Sequence, residues 1–331
     1  MSHLNTGVGV VGSTMVDMVA YSPRIPVIGE TIFGTKFEQN YGGKGANQMV
    51  MVANLETEAH MFCKVGGDSF GAGYMESLRG MGVTVHALKH ETESTGIACI
   101  TVDGAGNNSI VIIPGANVTI TNEEVNKMWA AEILRRRVVV LQNEITSSAT
   151  RTALEIIRKH NQLAPVDAVG WGASSVFRHR SHIVSVFNPA PVADVATCLE
   201  CALLADVVCP NEVELGMLVG MPTETTEQVE TAARRLLALG CVTVVVTLGS
   251  RGACVGTGTD GEVKLEFVPA PVVANCVDTV GAGDCFIGSL ASRLHDGVPL
   301  IEAVSFAVRA ASISVTRMGS QKSYPKRSEL L

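Results

Sequence analysis

The chain has 331 residues, of which 47% are hydrophobic, 17% charged and 5% aromatic, and 25 basic against 32 acidic residues leave a net charge of −7. At about 100–200 residues per domain this is one large domain or two modest ones, with enough apolar material for a sizeable core. The 33 glycines follow no G-X-Y period, which excludes a collagen-like chain, and the acidic balance argues against a nucleic-acid partner while leaving room for a small phosphorylated ligand.

Val8, Val10 and Val11 form a β-branched run that reads as a buried first strand. In residues 19–41, Pro23, Pro26, Gly29 and Gly34 separate short extended pieces such as Thr31-Ile32-Phe33, which predicts strands outside the main sheet. A helix over 46–55, a strand over 62–65 and a helix over 69–81 ended by Gly82 come next. Residues 95–113 are extended again, with turn signals at Asp103-Gly104 and Gly106-Asn107, and are a second candidate for the extra sheet. Beyond Thr121 the pattern alternates: helix 122–137, strand 138–141, helix 147–160, strand 184–187, helix 195–204, strand 207–209, helix 226–239, strand 242–247, and helices 286–294 and 300–315. Apolar strands separated by helices specify an α/β chain with a mostly parallel sheet. The expected architecture is a three-layer αβα fold, one domain over 1–331, with a small β-sheet lid from about 14–41 and 95–119. Residues 161–182, with Pro165, Gly170, Gly172 and Arg178-His179-Arg180, read as a surface loop whose basic cluster is a solvated face.

The nine cysteines are scattered and odd in number, which points to a reducing compartment rather than a disulfide framework. Cys198 and Cys201 have no partner pair at zinc-finger spacing and read as small apolar residues on a helix. No run of 18 apolar residues spans a membrane, Met1 to Thr6 shows no secretory signal, and Ser328-Glu329-Leu330-Leu331 matches no peroxisomal tripeptide. The expected location is the cytoplasm, with the nucleus open in a eukaryote.

Gly7-Val8-Gly9-Val10-Val11-Gly12 matches G-x-G-x-x-G, but the spacer valines are themselves the strand, so it is not a dinucleotide fingerprint. The strongest signal is Asp278-Thr279-Val280-Gly281-Ala282-Gly283-Asp284 ahead of an apolar helix. Small residues at Gly281, Ala282 and Gly283 let backbone amides converge at a helix N-terminus, an arrangement suited to a transferring phosphoryl group. Asp284 at that mouth can take a proton from an attacking hydroxyl, and the helix end is expected to keep it ionised; a plain turn with Asp284 as N-cap fits the composition equally well. In Tyr41-Gly42-Gly43-Lys44-Gly45-Ala46-Asn47-Gln48 the spacing is not that of a Walker loop; Lys44 and Asn47 could hydrogen-bond a polyol, although a flexible turn with a solvated lysine fits it too. Thr247-Leu248-Gly249-Ser250-Arg251-Gly252 follows a β-branched strand where a nucleotide could lie, although a hairpin fits it too. Asn211 and Glu214, three apart, share one helix face and could orient a magnesium-bound water, or simply cap the helix.

Taken in order, these motifs resemble the ribokinase branch of the PfkB carbohydrate-kinase family, over nearly the whole chain from Gly12-Ser13 to Tyr324-Pro325. Val65-Gly66-Gly67-Asp68-Ser69-Phe70-Gly71, Asn188-Pro189-Ala190-Pro191 and Pro210-Asn211-Glu212 add to the two main signatures. The resemblance implies ATP-dependent phosphorylation of D-ribose at O5, with Asp284 as base and Gly281, Ala282 and Gly283 as anion hole. It places the sugar against Thr14, Met15, Asp17, Gly43, Lys44, Gly45, Ala46, Asn47, Glu144 and Asp284. ATP would meet Asn211, the loop Thr247, Leu248, Gly249, Ser250, Arg251 and Gly252, then Gly283, Asp284 and Val308. It also implies Mg²⁺ near Glu214 and an activating K⁺ at Asp278, Val280, Ser314, Arg317, Gly319 and Ser323. The lid would pair two chains into a homodimer. Met15 stands where bacterial relatives often carry Asn, and Val308 where they often carry His or Asn near the adenine, which leaves sugar and nucleotide selectivity open. Residues 161–182 resemble an insertion where relatives have a short turn. A 2-deoxyribose or nucleoside kinase of the same fold, and a non-catalytic sugar or nucleotide sensor, are the alternatives.

Overall fold

The computed structural model describes residues 6–163, 181–259 and 262–330. The first strand, β1 (Val8–Val11), is fully buried. The chain then leaves the main sheet for an antiparallel pair, β2 (Met15–Tyr21) and β3 (Lys36–Gly42). It returns through helix α1 (Lys44–Asn54), β4 (Ala59–Gly66), α2 (Ser69–Gly80) and β5 (Thr84–His90). A second excursion forms the hairpin β6 (Gly96–Val102) and β7 (Asn108–Ile113).

The segment expected as one helix over 122–137 is broken: α3 (Asn122–Glu124) runs into a wide π turn (Val125–Trp129) and α4 (Ala130–Ile133). Next come β8 (Val138–Leu141), α5 (Ser147–Leu163), β9 (Val184–Phe187), α6 (Val195–Leu204), β10 (Val207–Val208), α7 (Glu212–Val219), α8 (Thr226–Ala238) and β11 (Thr243–Thr247). The hairpin β12 (Ala253–Thr259) and β13 (Glu262–Val268) and the helices α9 (Ala282–His295) and α10 (Leu300–Ser314) complete the elements.

The nine-stranded sheet runs β13-β12-β11-β10-β9-β8-β1-β4-β5. It is parallel from β5 to β11, and β12 and β13 join antiparallel. Both faces are covered, so successive residues of one strand enter different cores. Val138 and Val140 pack with α1, α9 and α10 (Met49, Leu290, Val304), and Val139 and Leu141 pack with Trp129, Leu154 and Leu236 on the other side. That explains the unbroken valine runs: a strand buried on both faces has no polar positions to alternate with. The four-stranded sheet, β3-β2-β6-β7, stands apart. Its outer strand β7 is exposed at every residue, including Ile110, Val111, Ile112 and Ile113.

Thr31-Ile32-Phe33 lies outside any strand, between β2 and β3, and Phe33 is exposed; prolines and glycines on both sides leave it no ladder partner. β5 and the β12–β13 hairpin have no counterpart among the sequence expectations, and α7 is the helix that Asn211 and Glu214 were expected to share or cap. Residues 161–163 finish α5 rather than opening a loop, and residues 164–180, with Arg178-His179-Arg180, lie outside the described residues. Cys198 and Cys201 are buried on α6, as small apolar residues would be. Among the described residues no helix is long and apolar enough to cross a membrane.

Candidate active site

Five parallel strands deliver polar residues to one edge of the main sheet. β1 leads into Gly12-Ser13-Thr14, β8 into Gln142 and Glu144, β9 into Asn188, β10 into Asn211, and β11 ends at Thr247. The carboxyl ends of parallel strands are where ligands bind in open α/β sheets. The first turns of α1 and α9 meet at the same edge.

Gly281 is the N-cap of α9 at φ 76°, a left-handed conformation that glycine adopts freely. Asp284 is therefore the third helical residue rather than the cap, and its side chain is free for other work. It is buried, and donors from α1 hold both its oxygens: Asn47 Nδ2 lies 3.0 Å from Oδ2 and Gln48 Nε2 lies 2.9 Å from Oδ1. Gln48 is set in turn by Gln142, whose Nε2 donates to Gln48 Oε1 at 2.5 Å. Burial pushes the Asp284 carboxyl above its ordinary pKa, although Lys44, Asn47 and Gln48 pull it down. The helix end was expected to keep this carboxylate ionised; burial works against that, while Lys44 and the α1 donors work with it.

Lys44 opens α1. Burial disfavours its charge, yet the carboxylates of Asp284, Glu144 and Glu214 outweigh that and raise its pKa. Glu144 Oε2 accepts from Ser13 Oγ at 2.6 Å and from the Lys44 amide at 2.8 Å, which fastens the start of α1 to the β1 loop. Asp17 on β2 lies against Gly42; burial first, and Glu144 second, push its carboxyl up to about 6. Gly43, the N-cap of α1, has φ 87°, and a Cβ there would come 2.8 Å from the Met15 amide. Gly45 crowds Ser13 in the same way, and Ala46 is buried in the core. Thr14 is tied through its backbone to Asn117, and Met15 is buried in the β2 ladder.

A cavity of about 110 Å³ opens beside this cluster, lined among others by Lys44, Asn211, Glu214, Thr247, Gly283 and Asp284. Asn211 and Glu214 form a reciprocal cap on α7, each side chain accepting from the other's backbone amide at 2.8 Å. The cap reading and the site reading hold together, because Glu214 also faces the cavity; burial raises its pKa, with Asp284 adding to the rise and the Asn211 amide and Lys44 opposing it. Of the 247–252 loop, Thr247 lines the cavity and Leu248 is buried. Ser250 is exposed, Arg251 pairs with Glu212, and Gly249 and Gly252 take positive φ.

A larger cavity of about 550 Å³ lies between residues 271–275 and the outer face of α10, with Pro271, Val272, Ala274, Arg309, Ser312 and Ile313 on its wall. Sequence reasoning missed it. Residues 309, 312, 313 and 316 recur at helical spacing and share one face. Val308, the residue assigned beside the nucleotide, points the other way into the core.

Of the positions assigned to a monovalent cation, Asp278, Val280 and Gly319 meet through hydrogen bonds. Asp278 Oδ1 accepts from the Val280 amide at 3.0 Å, and its Oδ2 accepts from the Gly319 amide at 2.8 Å. The Val277 amide donates to the Val315 carbonyl at 2.7 Å, and Ser323 Oγ bonds the Ser320 carbonyl at 2.7 Å. Arg317 turns its guanidinium to Glu329, leaving only its carbonyl for an ion. An all-oxygen set of carbonyls, one hydroxyl and one carboxylate suits a hard, weakly held cation.

The pfkB family of carbohydrate kinases matches residues 5–327, and the chain belongs to that family. It is 36% identical to a mouse protein named ribokinase, over 97% of this chain and 92% of that one. It is also 36% identical to a Salmonella typhi deoxyribokinase, over 96% and 95%. The structure of Arabidopsis thaliana ribokinase complexed with ribose and ATP superposes with a TM-score of 0.83 at 29% identity, covering 98% of this chain and 97% of that one.

Proposed function

We propose that the protein transfers the γ-phosphoryl group of ATP to O5 of D-ribose, releasing ADP and D-ribose 5-phosphate. The observation that carries this reading is Asp284: a buried carboxylate held on both oxygens by α1 amides, at the mouth of the Gly281–Gly283 turn. The sugar lies between Asp17, Gly43, Lys44, Asn47 and Glu144, with its O5 hydrogen toward Asp284. As the O5–phosphorus bond forms and the bond to the β-phosphate oxygen breaks, Asp284 takes the O5 proton. The amides of Gly281 and Gly283 and the start of α9 receive the charge on the phosphoryl oxygens, and the Ala282 amide, which donates to the Thr279 carbonyl at 3.2 Å, joins them only by leaving that partner. A Cβ added at Gly283 meets no atom within 4 Å, which leaves that approach open.

The triphosphate runs past Asn211 and Thr247, and the base enters the cavity between residues 271–275 and Arg309, Ser312 and Ile313. Glu214 would hold Mg²⁺, which would supply positive charge for the phosphates when bound. Asp278, Val280, Ser314, Arg317, Gly319 and Ser323 would hold K⁺, which would supply a fixed charge beside the loop leading to Gly281. The four-stranded sheet serves as lid, and its exposed β7 pairs with a second copy into a homodimer; Val111→Glu then gives monomers on sedimentation, and an unchanged sedimentation coefficient refutes that pairing. The location fits the ATP-rich cytoplasm.

ADP release with D-ribose, 2-deoxyribose and a nucleoside, with and without K⁺, tests the reading. Ribose turnover abolished by Asp284→Asn supports it, and a substituted enzyme of near-normal kcat refutes the base. A second reading, 2-deoxyribose as substrate, draws on the Salmonella relative and on the apolar Met15 beside the sugar strand.

A further inference from the structure

An asparagine amide is nearly symmetric in shape, so some neighbour must set which end of Asn47 faces Asp284. A carboxylate only accepts hydrogen bonds, and a base at Asp284 therefore needs the NH₂ end. The contacts behind Asn47 impose that choice, starting from a backbone carbonyl whose role is unambiguous. The Tyr74 hydroxyl donates to the Gly42 carbonyl at 2.7 Å. Its single proton is thereby spent, so toward Gln321, 2.9 Å away, the hydroxyl accepts and Gln321 presents Nε2. The same Nε2 lies 2.9 Å from Asn47 Oδ1 and donates its second proton there. Asn47 is left with Nδ2 for Asp284. Tyr74 is fully buried and its ring stacks on Tyr41 with centroids 4.2 Å apart, so the start of the chain is rigid. Lys322, next to Gln321, donates to Asn40 of β3 at 2.5 Å and fastens the segment from the other side.

We propose that Gln321 is a positioning residue for phosphoryl transfer: by donating to both Tyr74 and Asn47 it holds the Asn47 amide with its N–H toward Asp284. Gln321 touches no reacting atom; it acts through Asn47. The proposal rests on the kinase reading for its kinetic consequence, whereas the amide orientation stands independently of any substrate.

Two substitutions separate direction from packing. Gln321→Met keeps the length and removes both donors. Gln321→Glu keeps the shape and reverses the chain, because its carboxylate accepts from Asn47 Nδ2 and turns Oδ1 against Asp284. In Gln321→Met the Asn47 amide is free to turn, and loss of the hydrogen bond it gives the Asp284 carboxylate predicts a kcat loss of about 10- to 100-fold. Gln321→Glu loses more, and KM for ATP stays near wild type in both. In an Asn47→Ala background the Gln321 changes become nearly silent, since their effect passes through Asn47. A packing role predicts the opposite rank, with the shape-preserving glutamate milder, and additive losses. Either that rank, additive losses, or an unchanged kcat in Gln321→Met overturns the proposal. If one variant does not fold, the other carries the comparison against Asn47→Ala. Amide-proton exchange at the Asn47 side chain gives a readout free of turnover: protection is expected in wild type and lost in Gln321→Met, and equal exchange overturns the proposal. Wild-type protein that releases no ADP with any pentose refutes the kinase reading instead, and the exchange result still judges Gln321.

Discussion

Gly283→Ala should make the protein more stable and nearly inactive at once. Gly283 is the second residue of α9, does not take a positive φ, and faces the cavity with no atom within 4 Å of an added Cβ. In the ligand-free protein the methyl meets nothing, and replacing a helical glycine by alanine narrows the unfolded ensemble, a gain of about 0.4–1 kcal/mol. With substrates bound, the same methyl stands where the phosphoryl group must approach the α9 amides. Blocking one anion-hole donor typically lowers kcat by about 10²–10³-fold. Urea unfolding of the ligand-free protein and ADP release from the same preparation measure the two effects. A gain in the first with a collapse in the second cannot arise from misfolding. A kcat within a few-fold of wild type would refute the placement of the phosphoryl group at this turn.

Gly281→Ala, two residues earlier, should behave differently: its φ of 76° and a Cβ 2.7 Å from the Tyr324 hydroxyl predict destabilisation. The left-handed backbone alone costs about 1–2 kcal/mol, read from the urea midpoint; an unchanged midpoint contradicts the cap geometry. Burial pushes the Asp17 carboxyl up to about 6, and with Asp17 in its proposed place against the sugar hydroxyls, ribose affinity should fall as the pH drops through about 6. Calorimetry across that range checks it, and Asp17→Asn should flatten the dependence while weakening binding throughout. At the opposite edge of the sheet, His60 and His86 stack 5.5 Å apart beside the buried Arg136. Burial first, and the neighbouring cation, lower both pKa values from 6.5. The unfolded chain then takes up protons more readily than the folded one, so this contribution is present above about pH 6.5 and lost as pH falls below it. His86→Phe, which preserves stacking on Phe62, should reduce the loss of urea stability between about pH 7.5 and 5.5; an unchanged loss excludes the pair as its source.

The three layers were legible because β-branched runs at 138–141 and 243–247 can only be strands buried on both faces. The candidate site was legible because Asp278–Asp284 and Gly42–Gln48 each place glycines beside a charged residue at a helix start. The break at Val125–Trp129 was not, since Thr121 and Glu124 form a good helix start and nothing in the local pattern signals the widened turn. Which residue of α10 faces the larger cavity was not legible for a related reason: neighbours one apart on a helix point about 100° away from each other, and packing against the sheet determined that Arg309 faces the cavity and Val308 the core.

Local chemistry in the chain determined the strands and helices, the glycine turn at 281–283 and the acid that follows it, because each depends on residues a few positions apart. Tertiary structure alone decided what surrounds that acid. Asn47 and Asp284 are 237 residues apart and Gln321 and Asn47 are 274 apart, so no window of sequence contains the contact. The direction of the hydrogen bonds among them is set by a single carbonyl at Gly42, which only folding brings within reach.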